Sequence, residues 1–369
     1  MMRSIVIFIW FSLVVSSAHA VDMLMPISCN YGADCFVSQY FDHQPEEEKI
    51  TDHTCGNLSK DGYLSTNFSL KSYSQMKEGV DVLAADDGVV IYARDNVDDI
   101  SVHLIGEEAV RGRECGNGVI IEHKRGYRTE YCHLKHKSIK VQRGEELKKG
   151  HIIGQVGLSG MTYFPHLQFT VKHEGKAVDP FTGADPATGS SSVQCGSLNI
   201  YPLWDKKTEK KLRYISTLLM SYGFANRVPH ANGARQGRFS RLNFTSDSPF
   251  LVFWVDVFGI HDNDELILSL YDPDGKELIT ESRKFSSYKN QHFQFVGKRP
   301  DEKIKKWPLG EYKGEVKLFR HYVAGSELIL EESSVLDVKE PQKKKKKSKR
   351  GGHGKKKDRE DDGKWRPVL

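Results

Sequence analysis

The stretch NGVIIEHKRGYRTEYCHL, residues 117–134, reads as strand, turn and strand. Two runs rich in β-branched and aromatic residues flank Lys124-Arg-Gly126, and Arg125-Gly126 supplies the turn. Cys115 stands just ahead of the first run and Cys132 near the end of the second, so the two face each other across the predicted hairpin. The same rhythm extends to either side. VDVLAADDGVVIYARD (80–95), IKVQRGEELKKGHIIGQVG (139–157) and PHLQFTVKHEGKAVDP (165–180) each read as strand, turn, strand. Residues 26–180 are therefore expected to form an antiparallel all-β domain. Asp61–Glu78 lacks the alternation and is expected to be a long loop with a short helix at Ser72–Lys77.

Upstream, Met1-Met-Arg-Ser leads into the apolar run Ile5–Val15 and then Ser-Ala-His-Ala20. A basic start, a short apolar run and a small-x-small end predict a secretory signal peptide over residues 1–20, too short for a spanning helix. All six cysteines lie after that point. An even number in an exported chain argues for disulfides. Only Cys115 with Cys132 can be paired from local pattern. No Cys-x-x-Cys spacing supports a zinc ribbon.

Residues 21–185 are assigned to the first domain and 186–235 to a connecting region. Over 236–340, RFSRLNF, PFLVFWVDVFG, DELILSLYDPDGKELITESRKF, NQHFQFVG, GEYKGEVKLFR and SELILEESSVLDV predict around seven strands, as in an immunoglobulin-like sandwich. Residues 341–369 carry 13 Lys/Arg against 4 Asp/Glu, while the rest of the chain, 41 against 45, is mildly acidic. That tail has no apolar periodicity and is expected to be disordered. Its run Lys343–Lys347 suits anionic lipid or polysaccharide, and the signal peptide argues against nucleic acid as the main partner.

Taken in order, DGYLSTNF, GVDVLAADDGVV, GNGVIIEH, YCHL, GHIIGQVGLSG and FPHLQF resemble the M23 (lysostaphin/LytM-type) zinc endopeptidases of bacterial cell walls. The resemblance spans about residues 26–182 and includes a Cys-rich lead, CNYGADC (29–35), found in a proteobacterial subgroup that carries a C-terminal β domain. It implies a zinc ion held by the His and Asp of an H-x-x-x-D motif and the second His of an H-x-H, with two further histidines serving catalysis. The first window falls on Tyr63-Leu-Ser-Thr-Asn67 and the second on His166-Leu-Gln168. Tyr63, Asn67 and Gln168 thus occupy the three implied ligand positions, while His133 and His166 retain the implied catalytic ones.

Zinc takes imidazole, thiolate or carboxylate, and neutral amides or a phenol with a pKa near 10 are poor replacements. Structural zinc sites bind with about 10–16 kcal/mol, so three lost ligands remove most of the affinity. Two histidines alone supply acid–base catalysis of about 10²–10⁴-fold, short of what amide hydrolysis needs. The expectation is an exported protein of the bacterial periplasm or cell surface, catalytically inactive and without a cofactor. It would bind peptidoglycan or regulate a wall hydrolase through a groove lined by Tyr63, Asn67, Gln168, His133 and His166. Two alternatives stand beside it. One is an active zinc endopeptidase with a rearranged shell, His53 joining His133 and His166. The other is a surface adhesin using the sandwich and the basic tail.

Overall fold

The structure is a computed structural model that describes residues 21–44, 46–183, 201–239, 242–300 and 305–341. The expected signal peptide, residues 186–200 with Cys195, and the Lys-rich tail from residue 342 on lie outside the described residues. The fold is mostly antiparallel β, as the alternation predicts. The N-terminal unit is built from β1 (Cys35–Gln39), β2 (Thr66–Leu70), β3 (Asp81–Leu83), β4 (Gly88–Arg94), β5 (Asn117–Glu122), β6 (Tyr127–Leu134), β7 (Glu146–Leu147), β8 (Ile152–Gln155), β9 (His166–His173) and β10 (Lys176–Val178). One sheet runs β1-β2-β9-β6-β5-β4-β7, with β10 on β9, and β3 pairs β8 separately.

Alternation sorts the two faces of this sheet. Phe68, Leu167, Phe169, Tyr131, Val119 and Ile121 point into the core, where Trp204 packs on Phe169 at 5.8 Å between ring centroids. His166 and Gln168, two apart on β9, point the other way. The predicted hairpin is β5–β6, and Cys115 and Cys132 are joined across it with a Cα–Cα distance of 4.8 Å. A second disulfide, Cys29–Cys35, closes the Cys-rich lead, and Cys55 is also disulfide-bonded.

Three sequence expectations need correction. Thr66–Leu70, within the expected loop, forms the buried strand β2, whose Phe68 and Leu70 fill the core while Asn67 and Ser69 face outward. Its period-2 pattern covers only five residues, too short to stand out beside the irregular chain before it. Neither 80–95 nor 139–157 is a hairpin: β3 pairs β8, and β4 pairs β5 and β7, because residues 84–87 carry the chain across to the main sheet. The expected helix does form, at Tyr73–Glu78, with the Ser72 hydroxyl accepting from the Gln75 amide.

The C-terminal unit comprises β11 (Leu218–Ala225), β12 (Leu251–Ile260), β13 (Asp264–Tyr271), β14 (Glu277–Lys284), β15 (Lys289–Lys298), β16 (Gly310–Tyr322) and β17 (Gly325–Val338). They form two packed antiparallel sheets, β11-β12-β15 and β14-β13-β16-β17. The third correction lies here. β11 falls inside the stretch read as a connection, whereas the described residues of RFSRLNF form no strand. A bulge between Leu219 and Ser221 and the glycine at 223 blur the alternation of β11, which hides it from pattern reading. Every residue of β12, the central strand of its sheet, is buried, with core clusters against both of its faces.

The two units touch through apolar side chains. Phe258 of β12 packs on Phe36 of β1 at 4.7 Å, and Met220 and Phe258 join the N-terminal core. No helix among the described residues is long and apolar enough to cross a membrane.

Candidate functional site

The outward face of the main sheet places the predicted residues side by side. Strand register sets Gln168 of β9 opposite Asn67 of β2 and Cys132 of β6, and sets His166 opposite Ser69. His133 arrives there by a bulge. Asn117 pairs with Leu134 and Val119 with Tyr131, so Cys132 and His133 together stand against the single residue Gly118. His133 adopts φ 64°, a left-handed conformation uncommon for a non-glycine residue. Gly118 is required opposite it, because a Cβ there would lie 2.7 Å from the Tyr131 carbonyl oxygen.

The histidines are held neutral. His133 Nδ1 lies 2.8 Å from the carbonyl oxygen of Ser159, which only accepts, so Nδ1 carries the proton. Nε2, 3.1 Å from the Gln168 amide, then offers a lone pair. The Gln168 amide has its oxygen toward that nitrogen and its NH2 3.3 Å from the Ser65 hydroxyl; turned over, it supplies the ring with a donor and accepts from Ser65. Burial holds His133 below the ordinary imidazole pKa. His166 donates from Nδ1 to the carbonyl oxygen of Phe164 at 2.9 Å, with the Thr162 hydroxyl at 3.1 Å. Its Nε2 has no hydrogen-bond partner among the described residues. Burial, reinforced by His133 with ring centroids 4.7 Å apart, pushes His166 down to about 3.

The three implied ligand positions also converge, but as a hydrogen-bonded set. Tyr63 donates to Asn67 Oδ1 at 2.6 Å, and Asn67 passes its Nδ2–H on to Gln39 at 3.2 Å. Burial raises the Tyr63 phenol well above its ordinary pKa, so it stays a neutral donor. These residues do not fit a zinc ion. The Asn67 oxygen is engaged by the phenol, the Gln168 amide by His133 and Ser65, and no side chain in the set carries negative charge. Among the described residues, no three of His, Cys, Asp and Glu converge on one point.

The rearranged shell is therefore corrected as well. His53 lies away from the histidine pair, stacked on Phe181 at 4.7 Å and against Tyr40 at 4.9 Å. Burial among those rings lowers its pKa. His123 is likewise structural, bonding the Asp87 carbonyl oxygen at 2.8 Å and the Thr129 hydroxyl at 2.7 Å.

Around the predicted residues lies a groove of about 730 Å³. It holds features that sequence reading missed. Among the described residues, Glu107, Glu114 and Glu130 line it against a single Lys60, and Met220, Phe258, Asn290 and Gln291 close it from the C-terminal unit. No local pattern announces those four, because only the packing of one unit on the other brings them there.

Residues 73–180 match the family model described as Peptidase family M23. Cell division protein DipM of Caulobacter vibrioides is 30% identical over 128 residues, 32% of this chain and 19% of that protein. Peptidoglycan DD-endopeptidase ShyA of Vibrio cholerae is 29% identical over 115 residues, 31% of this chain and 23% of that one. The chain spans about a fifth of the length of these relatives. A zinc-containing peptidase from Vibrio cholerae superposes with a TM-score of 0.30 and 24% identity, over 43% of this chain and 39% of that one. Residues 73–180 of this chain thus match the M23 family model, within a larger antiparallel β unit that carries the paired histidines on its open face.

Proposed function

We propose that this chain is an exported bacterial envelope protein whose M23 unit has given up hydrolysis and uses its groove to hold peptidoglycan or to regulate a separate wall hydrolase. The observation that carries this reading is the hydrogen-bonded set at the implied ligand positions: Tyr63 on Asn67, and Gln168 on His133 and Ser65. A decayed metal site would leave the groups at the ligand positions without partners, whereas here Tyr63, Asn67 and Gln168 are each hydrogen-bonded and the groove stays open. His166 Nε2, the glutamates and the Asn290–Gln291 edge offer hydrogen-bonding groups to a polar ligand. The names of the relatives, a cell division protein and a peptidoglycan endopeptidase, support the wall as the place of action. The C-terminal unit is read as immunoglobulin-like. In support, its first, second and fifth strands share one sheet and the third, fourth, sixth and seventh the other.

The test is zinc content after equilibration with micromolar zinc and gel filtration, on the chain from residue 21 and on a version ending at Glu340. The wild type is expected to retain no zinc and to bind purified peptidoglycan sacculi. A variant carrying Tyr63→His, Asn67→Asp and Gln168→His is expected to retain about one equivalent, the three-ligand shell of a catalytic site. One equivalent held by the wild type and lost in His166→Ala would sink the reading.

A further inference from the structure

Away from the groove, the C-terminal unit has a second cleft, of about 470 Å³, that runs along β11. β11 is an edge strand: it pairs β12 on one side, and on the other no backbone hydrogen bond joins it to any described residue. β17, the edge of the facing sheet, stands beside it without pairing and contributes Ser334 and Leu336 to the cleft. Ser72 and Ser74, at the start of the helix Tyr73–Glu78, also line the cleft, so the unpaired edge is recessed between two units rather than offered on an open flank.

Natural sheets guard such edges with charge, proline or a covering segment. Here none of the described lining residues carries a charge, and β11 contains no proline. Four consecutive β11 residues, Ser221–Phe224, line the cleft from both sides of the strand. Phe244 and Leu336 add apolar wall. Two buried polar groups at the cleft lack partners among the described residues: the Ser221 hydroxyl and the indole N–H of Trp254, a residue only 5% exposed. Trp254 sits opposite Gly223, whose missing side chain leaves the strand backbone bare beside the indole. A row of free backbone groups is matched only by another extended backbone, and the recess admits a single strand more readily than the rigid sheet of another folded molecule.

We propose that this cleft takes an extended segment of a partner protein, uncharged and with apolar side chains at alternate positions, which adds to the β11-β12-β15 sheet as a fourth strand. Main-chain bonds to β11 supply the affinity, and the apolar wall reads every second side chain.

The probe is an acetylated, amidated peptide alternating threonine and valine over the length of β11, added to the full chain. Two signals are followed: the indole N–H resonance of Trp254, assigned with Trp254→Phe, and amide hydrogen exchange across Leu218–Ala225. Expected are a saturable shift of the indole resonance and exchange slowed about tenfold on β11. The same peptide N-methylated at alternate amides, which cannot pair as a strand, should produce neither. Three results would each overturn the proposal. The first is no shift with about 1 mM peptide, the weak end of specific binding. The second is equal binding of the N-methylated peptide, which would make the cleft a site for apolar surface alone. The third is protection of β11 that rises with protein concentration and that the peptide does not displace, which would make the occupant a second copy of this chain.

Discussion

His133 and His166 stay neutral in the fold for a reason that has a measurable cost in acid. Both have pKa values below the ordinary value near 6.5, His166 falling to about 3, because burial disfavours the imidazolium. The unfolded chain therefore binds protons that the folded chain refuses. Their stabilising contribution is fully present above about pH 6.5 and is lost progressively as pH falls toward the folded values. The thermal midpoint is expected to drop between pH 7 and pH 4, and to drop less in His166→Asn, which keeps a polar group of similar size but does not titrate. Parallel pH profiles for the two proteins would mean that the His166 ring is open to water. Spacing places His166 and Gln168 on one face of a strand, and it is the resemblance that implies Tyr63, Asn67 and His133 beside them. Neither could show that Tyr63 would bond Asn67 or that Gln168 would serve His133, because those contacts depend on register between β2, β9 and β6.

At the scale of elements, the β5–β6 bulge aims His133, and Gly118 makes room for it. A Cβ at 118 would also meet Cys115 Sγ at 2.8 Å, so the disulfide and the bulge crowd the same point. Gly118→Ala is expected to lower stability in urea by about 1–3 kcal/mol, the usual cost of overpacking. A neutral result would show that the hairpin can relax away from the Tyr131 carbonyl. The fully buried strand β12 carries the opposite kind of demand. Its Asp256 is 0% exposed and is held by Arg235 through bonds of 2.7 and 3.0 Å. Arg235→Met strands that carboxylate and should cost about 3–5 kcal/mol, with much of the loss recovered by Asp256→Leu in the same chain. Denaturant unfolding of the single and double variants separates the two terms. The hairpins β5–β6, β9–β10 and β13–β14 were legible because strand and turn signals lie within one short window. β2 and β11 were not, as one is too short and the other broken by a bulge and a glycine, and tertiary pairing makes both.

Across the whole molecule, the groove belongs to neither unit alone. Its floor is the open face of the N-terminal sheet, and its far wall is Phe258, Met220, Asn290 and Gln291 of the C-terminal unit. Phe36 and Phe258, 1% and 3% exposed, form the apolar contact that sets one against the other. An interface of this kind couples the unfolding of its two sides only while the contact survives. Scanning calorimetry of the wild type is expected to show one transition with matching calorimetric and van't Hoff enthalpies. Phe258→Ala removes a buried aromatic, at a cost of about 3–5 kcal/mol, and should split that transition into two. Binding to peptidoglycan sacculi should weaken in the same variant although His133, His166 and Gln168 are untouched, because the wall that closes the groove would no longer be held in place. If Phe258→Ala unfolds in a single step and binds sacculi as the wild type does, the C-terminal unit is a neighbour of the groove and not part of it, and the recognition surface must be sought on the N-terminal sheet alone.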